Sequence, residues 1–370
     1  MKFTCDKDEL VKAINYAEAV ISQKTTHNIL QNVLFEAAGG RISISSTDLE
    51  VGFITSIPAN IDEEGDITVT AKKLLELIKR LNPCNLIFEV EQNNRIKIYS
   101  QDPGVRTVIR INGIPRIDFP EIPKPVTEQY FEFPQKDFKE MIKKTIYAVS
   151  HEETRYYLNG VFFEKEGALI KMVATDGRRL SYIHKDYPLA ETDFGKIIPK
   201  KVLNEIIPAL GNEGMIKIAV GEKQMFFEIN DMYFVTNLLD GSFPNYKQVI
   251  PSTKEIRLTL NTQELRTNVE RVSPLSDNKT NQIILKLQEN SILIIARNPD
   301  QGDIVDIIQT EYSGPEMEIG FNYQYLLDSL REIESDMIFM DIISANAAVV
   351  IRGINEENYL AIIMPMKITS

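Results

Sequence analysis

Apolar and polar residues alternate along many short stretches of the chain. The stretches RISISS, RIKIYS, IRLTL and QMFFEI place apolar side chains on one face, and this period of two is typical of a half-buried β-strand. A different period appears in the segment LVKAINYAEAVI. Its apolar stripe at helical spacing consists of Leu10, Ile14, Ala17 and Ile21. The pattern therefore predicts half-buried strands together with amphipathic helices.

The order of these elements recurs three times along the chain. Each recurrence has a short strand, an amphipathic helix and a hairpin that runs into an acidic turn, and begins at MKFTCDKDELVKAINY, YFEFPQKDFKEMIKK or EIRLTLNTQELRTNV. A second half with a similar order follows each time, beginning at ITVTAKKLLELIKRL, KIIPKKVLNEIIPAL or MEIGFNYQYLLDSL. Self-similarity at this scale indicates a repeat architecture.

Six helix-plus-strands units paired into three domains explain this pattern. We place the domains at residues 1–122, 123–253 and 254–370, because the joints EIPKPVTEQ and IPSTKE carry proline and charge and lack strand alternation. Asp6 with Glu9, and Asn261 with Glu264, have the spacing of helix N-caps. Helices on one face of antiparallel sheets give an α+β fold class. Chance alternation of helices and hairpins is the alternative, but here order and spacing recur together in all three thirds.

Composition narrows the class of protein. The 370 residues are 43% hydrophobic and 25% charged, enough for sizeable cores in two or three domains of roughly 100–200 residues each. The two cysteines, Cys5 and Cys84, form no C-x-x-C or Cys/His cluster, so we expect a reduced, cytoplasmic protein without structural zinc. The start MKFTCDKDEL has no apolar signal region, and runs such as YLAIIMPM fall below the ~20 residues that span a bilayer.

Positive charge is concentrated on the predicted helices. The whole chain carries −12, whereas the six predicted helix windows together carry +3, so the remainder carries −15. These windows are residues 8–22, 71–81, 135–150, 198–209, 262–276 and 322–333. The segments AKKLLELIKR and QKDFKEMIKK contribute most of the basic side chains. A basic helical face on an acidic body attracts phosphates in one place and repels them elsewhere. A solvated lysine face without a ligand is the alternative. No helix offers a set of side chains suited to reading bases, which favours sequence-independent contact.

Several longer motifs carry a family resemblance. The stretches TRYYLNGVFFE, VATDGRRLS, LDGSFPNYKQVIP, YSGPEMEIGFN and MPMKI resemble, in order and from end to end, the bacterial DNA polymerase III β subunits, the replicative sliding clamps. The resemblance implies three similar DNA-clamp domains per chain. It also implies a ring-shaped head-to-tail homodimer, with helices lining the hole and sheets outside.

Helix dimensions are consistent with two chains in such a ring. An α-helix with side chains is roughly 10 Å across, so six helices leave a lumen of about 9 Å and twelve leave about 28 Å. A DNA duplex is roughly 20 Å wide. Two chains can therefore encircle a duplex, whereas one cannot.

The implied function follows from this topology. A closed ring encircles duplex DNA without sequence specificity and tethers the replicative polymerase, which raises its processivity. The implied partners are the DNA polymerase III catalytic subunit, the clamp-loader complex, and other clamp-motif polymerases and repair proteins. The resemblance implies no catalytic activity, no cofactor and no metal. It implies a cytoplasmic protein, associated with the nucleoid during replication.

The resemblance also assigns three sets of residues. A hydrophobic pocket for a partner peptide comprises Leu158, Thr175, Gly177, Arg178, Arg179, Leu180, Pro244, Val249, Met364, Pro365, Met366 and Lys367. The DNA contacts are Lys24, Lys72, Lys79, Arg155, Tyr156 and Tyr157. The dimer interface pairs the strand VRTVIRI with the third domain and uses Arg106, Ile109, Ile111, Leu275, Asp300, Asp303 and Asp306. Two alternatives stay open: the tyrosines could simply pack, and MPMKI could be an ordinary buried last strand.

Asp176 in TDGRR has two interpretations. It could be a catalytic carboxylate, but catalysis needs a base, nucleophile or metal set nearby, and the histidines, at positions 27, 151 and 184, form no H-E-x-x-H or triad-like motif. Asp-Gly at the end of a strand is first a turn signal. Two rival functions are a monomeric adaptor built from the same repeats, and an enzyme that uses Asp176 or Tyr156. Neither rival explains the segregated charge, the repeats and the motifs together.

Overall fold

The computed structural model describes residues 1–22, 27–125, 129–188, 192–251 and 253–368. Within these residues it contains six α-helices: α1 (Lys7–Val20), α2 (Ala71–Ile78), α3 (Gln135–Ile146), α4 (Lys200–Ile206), α5 (Thr262–Val272) and α6 (Tyr323–Arg331). Of the helices described, none has the combination of length and apolar content that crossing a membrane requires.

The strands form antiparallel sheets, which confirms the α+β prediction. The first thirteen are β1 (Lys2–Asp6), β2 (Asn32–Ala38), β3 (Arg41–Thr47), β4 (Val51–Pro58), β5 (Asn60–Glu63), β6 (Gly65–Thr70), β7 (Asn85–Val90), β8 (Arg95–Tyr99), β9 (Ile109–Asn112), β10 (Tyr130–Pro134), β11 (Gly160–Glu166), β12 (Leu169–Thr175) and β13 (Arg179–Asp186). The others are β14 (Phe194–Pro199), β15 (Met215–Val220), β16 (Gln224–Ile229), β17 (Met232–Asn237), β18 (Ile256–Asn261), β19 (Gln282–Gln288), β20 (Ser291–Asn298), β21 (Gly302–Gln309), β22 (Met317–Asn322), β23 (Met337–Ile342), β24 (Val349–Gly353) and β25 (Tyr359–Ile363).

Helices α1 and α5 begin where the sequence places their N-caps. The Asp6 carboxylate accepts hydrogen bonds from the backbone N–H groups of Asp8 at 2.8 Å and Glu9 at 2.9 Å. The Asn261 side chain accepts one from the Glu264 N–H at 2.8 Å. These bonds satisfy N–H groups that have no partner inside a helix. Both predicted caps are therefore confirmed.

The apolar stripe of α1 faces the core. Leu10, Ile14 and Ala17 are fully buried, whereas Ile21 lies just after the helix and is partly exposed. Burying one large aliphatic side chain stabilises a fold by about 1.5–3 kcal/mol. The predicted stripe is correct apart from its last residue.

The chain forms two compact units, and the first comprises residues 1–138 and 201–238. Its sheets have the strand orders β5-β1-β7-β8-β9 and β10-β15-β16-β17-β4-β3-β2-β6. The larger sheet joins two four-stranded halves where β4 pairs with β17, with Phe53 opposite Phe234. The rings of these two buried phenylalanines lie 4.9 Å apart. Strands from distant parts of the sequence therefore share one core.

The second unit comprises residues 139–200 and 239–370. Its sheets have the orders β14-β11-β12-β13-β25-β24-β23-β18 and β21-β20-β19-β22. Here the two four-stranded halves join where β13 pairs with β25, with Arg179 opposite Ile363. The domain boundaries that we predicted, after residues 122 and 253, do not coincide with the limits of these two units. They mark the repeats in the sequence, so they stay a prediction.

Strand β9 is shorter than expected. We predicted a strand from Arg106 to Ile111, but pairing with β8 begins only at Ile109, opposite Ile98. Before it, the Asp102 carboxylate accepts a hydrogen bond from the Gly104 N–H at 2.9 Å, and the Asp102 carbonyl accepts one from the Val105 N–H at 2.9 Å. Because the chain forms this turn, hydrogen-bonded pairing with β8 starts only further along, at Ile109. The strand prediction was therefore wrong over residues 106–108.

We predict that Asp6→Ala lowers the free energy of unfolding by about 1 kcal/mol, because two N–H groups at the start of α1 lose their acceptor. Chemical denaturation measures this change. Asp6→Asn is the matched control, since an asparagine side chain also accepts at this position, and it should be nearly neutral. Equal losses for both variants would contradict the capping account.

Candidate functional site

A cleft of about 390 Å³ lies in the second unit, around the start of β13 and the end of β25. Nine of the twelve residues predicted for a peptide pocket line it: Leu158, Thr175, Gly177, Arg178, Arg179, Leu180, Pro244, Val249 and Met364. They come from the 3₁₀ helix Glu153–Leu158, the turn between β12 and β13, the segment around the 3₁₀ helix Tyr246–Gln248, and the residue after β25. Segments far apart in sequence thus build one cavity.

The last three predicted residues lie beyond the cleft lining. The Met366 N–H donates to the Gly320 carbonyl at 2.7 Å, and the Gln282 side chain donates to the Lys367 carbonyl at 2.9 Å. Pro365 lies between Met364 and this bridge. These contacts fasten the C-terminal segment to β19 and β22.

Four further residues line the cleft. Arg155 and Tyr157 were predicted as DNA contacts, whereas Tyr246 and Ile362 were not predicted at all. Ile362 precedes Met364 by two positions, and period-two alternation could have placed both on one face. No comparable signal marks Tyr246, because its segment follows no regular period.

Asp176 shapes the turn that forms one wall of the cleft. Its carboxylate accepts hydrogen bonds from the N–H groups of Arg178 at 2.9 Å and Arg179 at 3.0 Å. The Thr175 hydroxyl donates to the Arg179 carbonyl at 2.6 Å and accepts from the Gly177 N–H at 3.0 Å. Gly177 has a φ of 86°, a conformation that glycine adopts readily. The turn interpretation of Asp176 is confirmed.

Arg155 covers this turn from the side. A Cβ atom at Gly177 would lie 2.8 Å from an Arg155 guanidinium nitrogen, so glycine also makes room for Arg155. The guanidinium is paired with Glu152 at 2.7 Å. The hydrogen bond from Arg155 lowers the pKa of the Glu152 carboxyl. Part of the positive charge predicted to face DNA is therefore neutralised within the loop.

The guanidinium of Arg179 points away from solvent, with only 11% of the side chain exposed. It donates to the Asp176 carboxylate at 3.1 Å, to the Asp328 carboxylate at 2.7 Å and to the Tyr147 carbonyl at 2.6 Å. The neighbouring Arg178 side chain is exposed, and its positive charge contributes, after Arg155, to the lowered pKa of the Glu152 carboxyl. The two adjacent arginines therefore have different environments.

Carboxylates on β11 hold the part of the cleft wall that contains Tyr246. The Tyr246 hydroxyl donates to Glu164 at 2.6 Å, and burial raises the pKa of Tyr246, with Glu164 adding to the effect. Lys247 donates to Glu166 at 2.7 Å, and Lys171 also donates to that carboxylate. These hydrogen bonds lower the pKa of Glu166 to about 2. The 3₁₀ helix that carries Tyr246 is thereby fixed to the sheet.

The predicted DNA contacts are distributed over both units. Lys72 is exposed in the first turn of α2, and Lys79, just after that helix, donates to Asn15 of α1 at 2.7 Å. Tyr156 is 51% exposed, and its ring lies 6.0 Å from that of Tyr157. Tyr157 is less exposed than Tyr156 and lines the cleft. The alternative that these tyrosines simply pack therefore applies more to Tyr157 than to Tyr156. Lys24 lies outside the described residues.

The predicted interface residues lie at two sheet edges. In the first unit, Ile109 is buried and Ile111 partly buried on the edge strand β9, and Arg106 is exposed just before it. In the second unit, Leu275 lies in a 3₁₀ helix packed on β20 and β21. Asp303 and Asp306 lie on the edge strand β21, Asp300 lies in the turn before it, and Asp306 is paired with Arg271.

Metal ligands are not grouped in the described parts of the chain. No set of three or more His, Cys, Asp or Glu side chains there is arranged to hold a metal ion. The cleft offers apolar side chains, backbone groups and one exposed guanidinium instead.

Models of the DNA polymerase III beta subunit match almost the whole chain. The N-terminal domain matches residues 1–123, the central domain residues 132–245 and the C-terminal domain residues 247–367. The chain belongs to the DNA polymerase III β subunit family. It is 30% identical over 370 residues to the beta sliding clamp of Salmonella typhimurium, with 100% of both chains covered.

Solved structures show the same likeness over whole chains. The DNA polymerase sliding clamp of Bacillus subtilis superposes with a TM-score of 0.94 at 27% identity, covering 100% of both chains. The sliding clamp of Pseudomonas aeruginosa, solved bound to griselimycin, gives 0.93 at 29% identity and the same coverage. The three-domain clamp fold is thus confirmed. The family's function is that of a processivity clamp for DNA polymerase III rather than of a catalytic enzyme, and this chain shares it.

We predict that the Glu166 carboxyl titrates near pH 2, well below a free glutamate. Because folding lowers this pKa, the contribution of Glu166 to stability is present above the pKa of the unfolded chain and is lost as the pH falls towards 2. Carboxyl-detected NMR measures the midpoint. Lys247→Gln should raise it, whereas Lys286→Gln, a lysine paired elsewhere with Glu316 and Glu318, should not. An ordinary midpoint in the wild type would contradict the assignment.

Proposed function

We propose that two copies of this chain form a closed ring around duplex DNA and tether the polymerase through the cleft of the second unit. The observation that carries this proposal is the pattern of strand edges. One half-sheet of a repeat joins a half-sheet of another where β4 meets β17 and where β13 meets β25. In the third repeat, the strand that corresponds to β4 and β13 is β21. In the first repeat, the strand that corresponds to β17 and β25 is β9. Both β21 and β9 lie at the end of a sheet.

A second copy supplies the missing neighbour for each edge in this proposal. An edge strand presents unpaired N–H and C=O groups to a partner strand. Ile109 and Ile111 would pack near Leu275 of the other copy, while Arg106 would face Asp300, Asp303 and Asp306. Opposite charges at a rim favour the correct partner and orientation. The contact is head to tail, so the ring closes when the rotation between copies closes.

Contact with DNA is sequence-blind in this account. Lys72, Lys79 and Arg155 would touch phosphates, and Tyr156 and Tyr157 would approach the duplex from their loop, with Lys24 as a further contact from the resemblance. Phosphate contacts of this kind are weak and screened by salt, so the ring can move along the duplex. The protein would then stay on DNA because the ring is closed around the duplex, rather than because it binds the duplex tightly. We keep the three domain boundaries, after 122 and after 253, as part of the proposal.

The cleft fits a short partner peptide. Leucine, valine, methionine and isoleucine side chains line it and would accept apolar anchors, since methionine adapts its shape to a ligand. The exposed Arg178 would pair with an acidic group of the peptide. We propose that the DNA polymerase III catalytic subunit, the clamp loader and other polymerases and repair proteins take turns at this site, in the cytoplasm and at the nucleoid during replication.

We predict that Arg106→Glu weakens the dimer about tenfold or more, because three carboxylates of the other copy then face a like charge. Sedimentation over a dilution series measures the dissociation constant. Adding Asp303→Arg should restore part of the affinity, whereas Arg95→Glu, the same charge change on β8, should have no effect. A wild-type chain that stays at 42.2 kDa at every concentration would refute the two-chain ring.

We predict that at least one peptide from the tiled sequence of the polymerase III catalytic subunit binds the cleft, and that Met364→Asp weakens it about tenfold or more, since the new carboxylate faces apolar anchors. Fluorescence anisotropy measures the affinity. Met215→Asp is the matched control, because Met364 and Met215 are 40% and 38% exposed and only Met364 lines the cleft. If no peptide binds, or if both variants bind equally, the docking proposal fails.

A further inference from the structure

We infer that a cavity of the first unit, beneath the segment of residues 114–124, takes an aromatic side chain of a partner protein together with a neighbouring basic side chain. All of its lining residues belong to the first unit, and none of them lines the peptide cleft. The inference goes beyond the proposed ring and its docking cleft, and its test can fail without affecting either.

The cavity lies between one half-sheet and the segment that crosses it. Ile114 forms a bridge with β6, the Arg116 guanidinium is paired with Glu36 of β2, and Ile122 reaches β4. A Cβ atom at Gly52 of β4 would lie 2.7 Å from the Ile122 side chain. The space enclosed has a volume of about 710 Å³, within the range of roughly 300–1,000 Å³ that is common for ligand pockets.

Aromatic rings fill the corresponding space in the second unit. Phe162, Val173 and Tyr182 lie side by side there on β11, β12 and β13. Phe243 and Tyr246, on the segment that crosses this half-sheet, pack against them. The Phe162 and Phe243 rings stack with their centres 4.8 Å apart, and the Tyr182 and Tyr246 ring centres are 5.8 Å apart. The second unit thus closes this face with its own aromatic side chains.

Smaller side chains hold the same positions in the first unit. Leu34, Ser45 and Ile54 lie side by side on β2, β3 and β4. Ile122 follows a Phe-Pro pair at the same spacing as Tyr246 does. A leucine and two isoleucines therefore replace three aromatic rings, and all three line the cavity. Because an aromatic ring gains from contact with such apolar walls, a ring supplied from outside fits the space that the chain leaves open.

The hydroxyl of Ser45 independently points to a ligand. Ser45 is only 4% exposed and lines the cavity. Within the parts of the chain that the structure describes, its hydroxyl has no hydrogen-bond partner. Buried polar groups are usually hydrogen-bonded. The backbone of a partner segment seated in the cavity would supply the missing bond, since every peptide group offers a carbonyl oxygen that accepts.

The charges of the lining favour a basic side chain beside the aromatic one. Asp66 and Glu121 are exposed and have no ion pair among the described residues, and Lys124 is the one lining cation there besides the paired Arg116. The unpaired groups of the lining therefore leave one negative charge, which a lysine or arginine of the partner offsets. Ile117, which is 88% exposed, also lines the cavity and would contact the methylene groups of that side chain.

The test measures the binding of small probes to the full-length chain by NMR of isoleucine methyl groups. The probe is N-acetyl-phenylalanyl-lysine amide. We expect it to cause saturable shifts of the Ile54 and Ile122 resonances but not of Ile362, which lines the peptide cleft. Replacing the phenylalanine of the probe with leucine, or its lysine with glutamate, should weaken binding about fivefold or more.

Two variants test the shape of the cavity. Ile54→Tyr supplies the ring that Tyr182 supplies in the second unit, so the probe should no longer shift the Ile122 resonance. Ser45→Ala removes the hydroxyl without filling the space and should weaken the probe about fivefold. An unchanged resonance of Ile14, which is buried in the core, shows that each variant keeps its fold. If either folded variant binds the probe as the wild type does, the assigned contact is overturned.

A matched pair of double variants tests the charges. Asp66→Asn with Glu121→Gln should weaken the lysine probe about threefold or more. Glu132→Gln with Glu213→Gln makes the same change at two exposed carboxylates of the first unit that do not line the cavity, and it should have no effect. Equal effects of the two double variants would overturn the charge assignment. The absence of any saturable shift at Ile54 and Ile122, or equal binding of the phenylalanine and leucine probes, would overturn the inference as a whole.

Discussion

Pairing between strands of different repeats is the constraint on which the rest of this structure depends. A four-stranded half-sheet leaves its last strand with unpaired N–H and C=O groups, and in this chain β4 finds β17 while β13 finds β25. Each pairing converts two exposed edges into the middle of an eight-stranded sheet, which hydrogen-bond satisfaction favours. The same demand applies to β9 and β21 at the ends of their sheets. In the proposed ring, a strand of a second copy pairs with each of these edge strands and satisfies their N–H and C=O groups.

The cleft is a consequence of one of these pairings. Because β13 runs beside β25, the turn that precedes β13 lies next to the residue that follows β25, and the Arg178 carbonyl accepts a hydrogen bond from the Met364 N–H. Apolar residues of both strands then face one cavity, closed on another side by Tyr246, which Glu164 anchors. The site that would tether a polymerase is thus placed by the sheet, whereas contact with DNA is assigned to residues on and beside the helices. The two sets of residues meet at the 3₁₀ helix Glu153–Leu158, because Arg155 and Tyr157 belong to the proposed DNA contacts and also line the cleft.

The parts of this structure that residue patterns alone predict are those with a local cause, whereas nine lining residues of the cleft were predicted by the family resemblance. The caps at Asp6 and Asn261 and the turn at Asp176 follow from side chains that bond to their own neighbouring backbone. The short β9 also had a local cause, since Asp102-Pro103-Gly104 is a turn signal that strand alternation obscured. Pairings such as β13 with β25, and the contact between Arg179 and Asp328, join residues far apart in sequence. No period or spacing encodes such partners, so only the structure could supply them.

The measurement that tests the account most directly compares retention of the loaded protein on circular and linear DNA. The protein would be loaded onto a nicked circular plasmid by its clamp loader and passed through a gel-filtration column at moderate salt, before and after the plasmid is cut once. The account predicts that the protein stays with the circle and is lost from the linear molecule, because a closed ring is held by topology and slides off an end. Equal retention on both molecules would show that affinity, not closure, holds the protein on DNA, and would contradict the central claim.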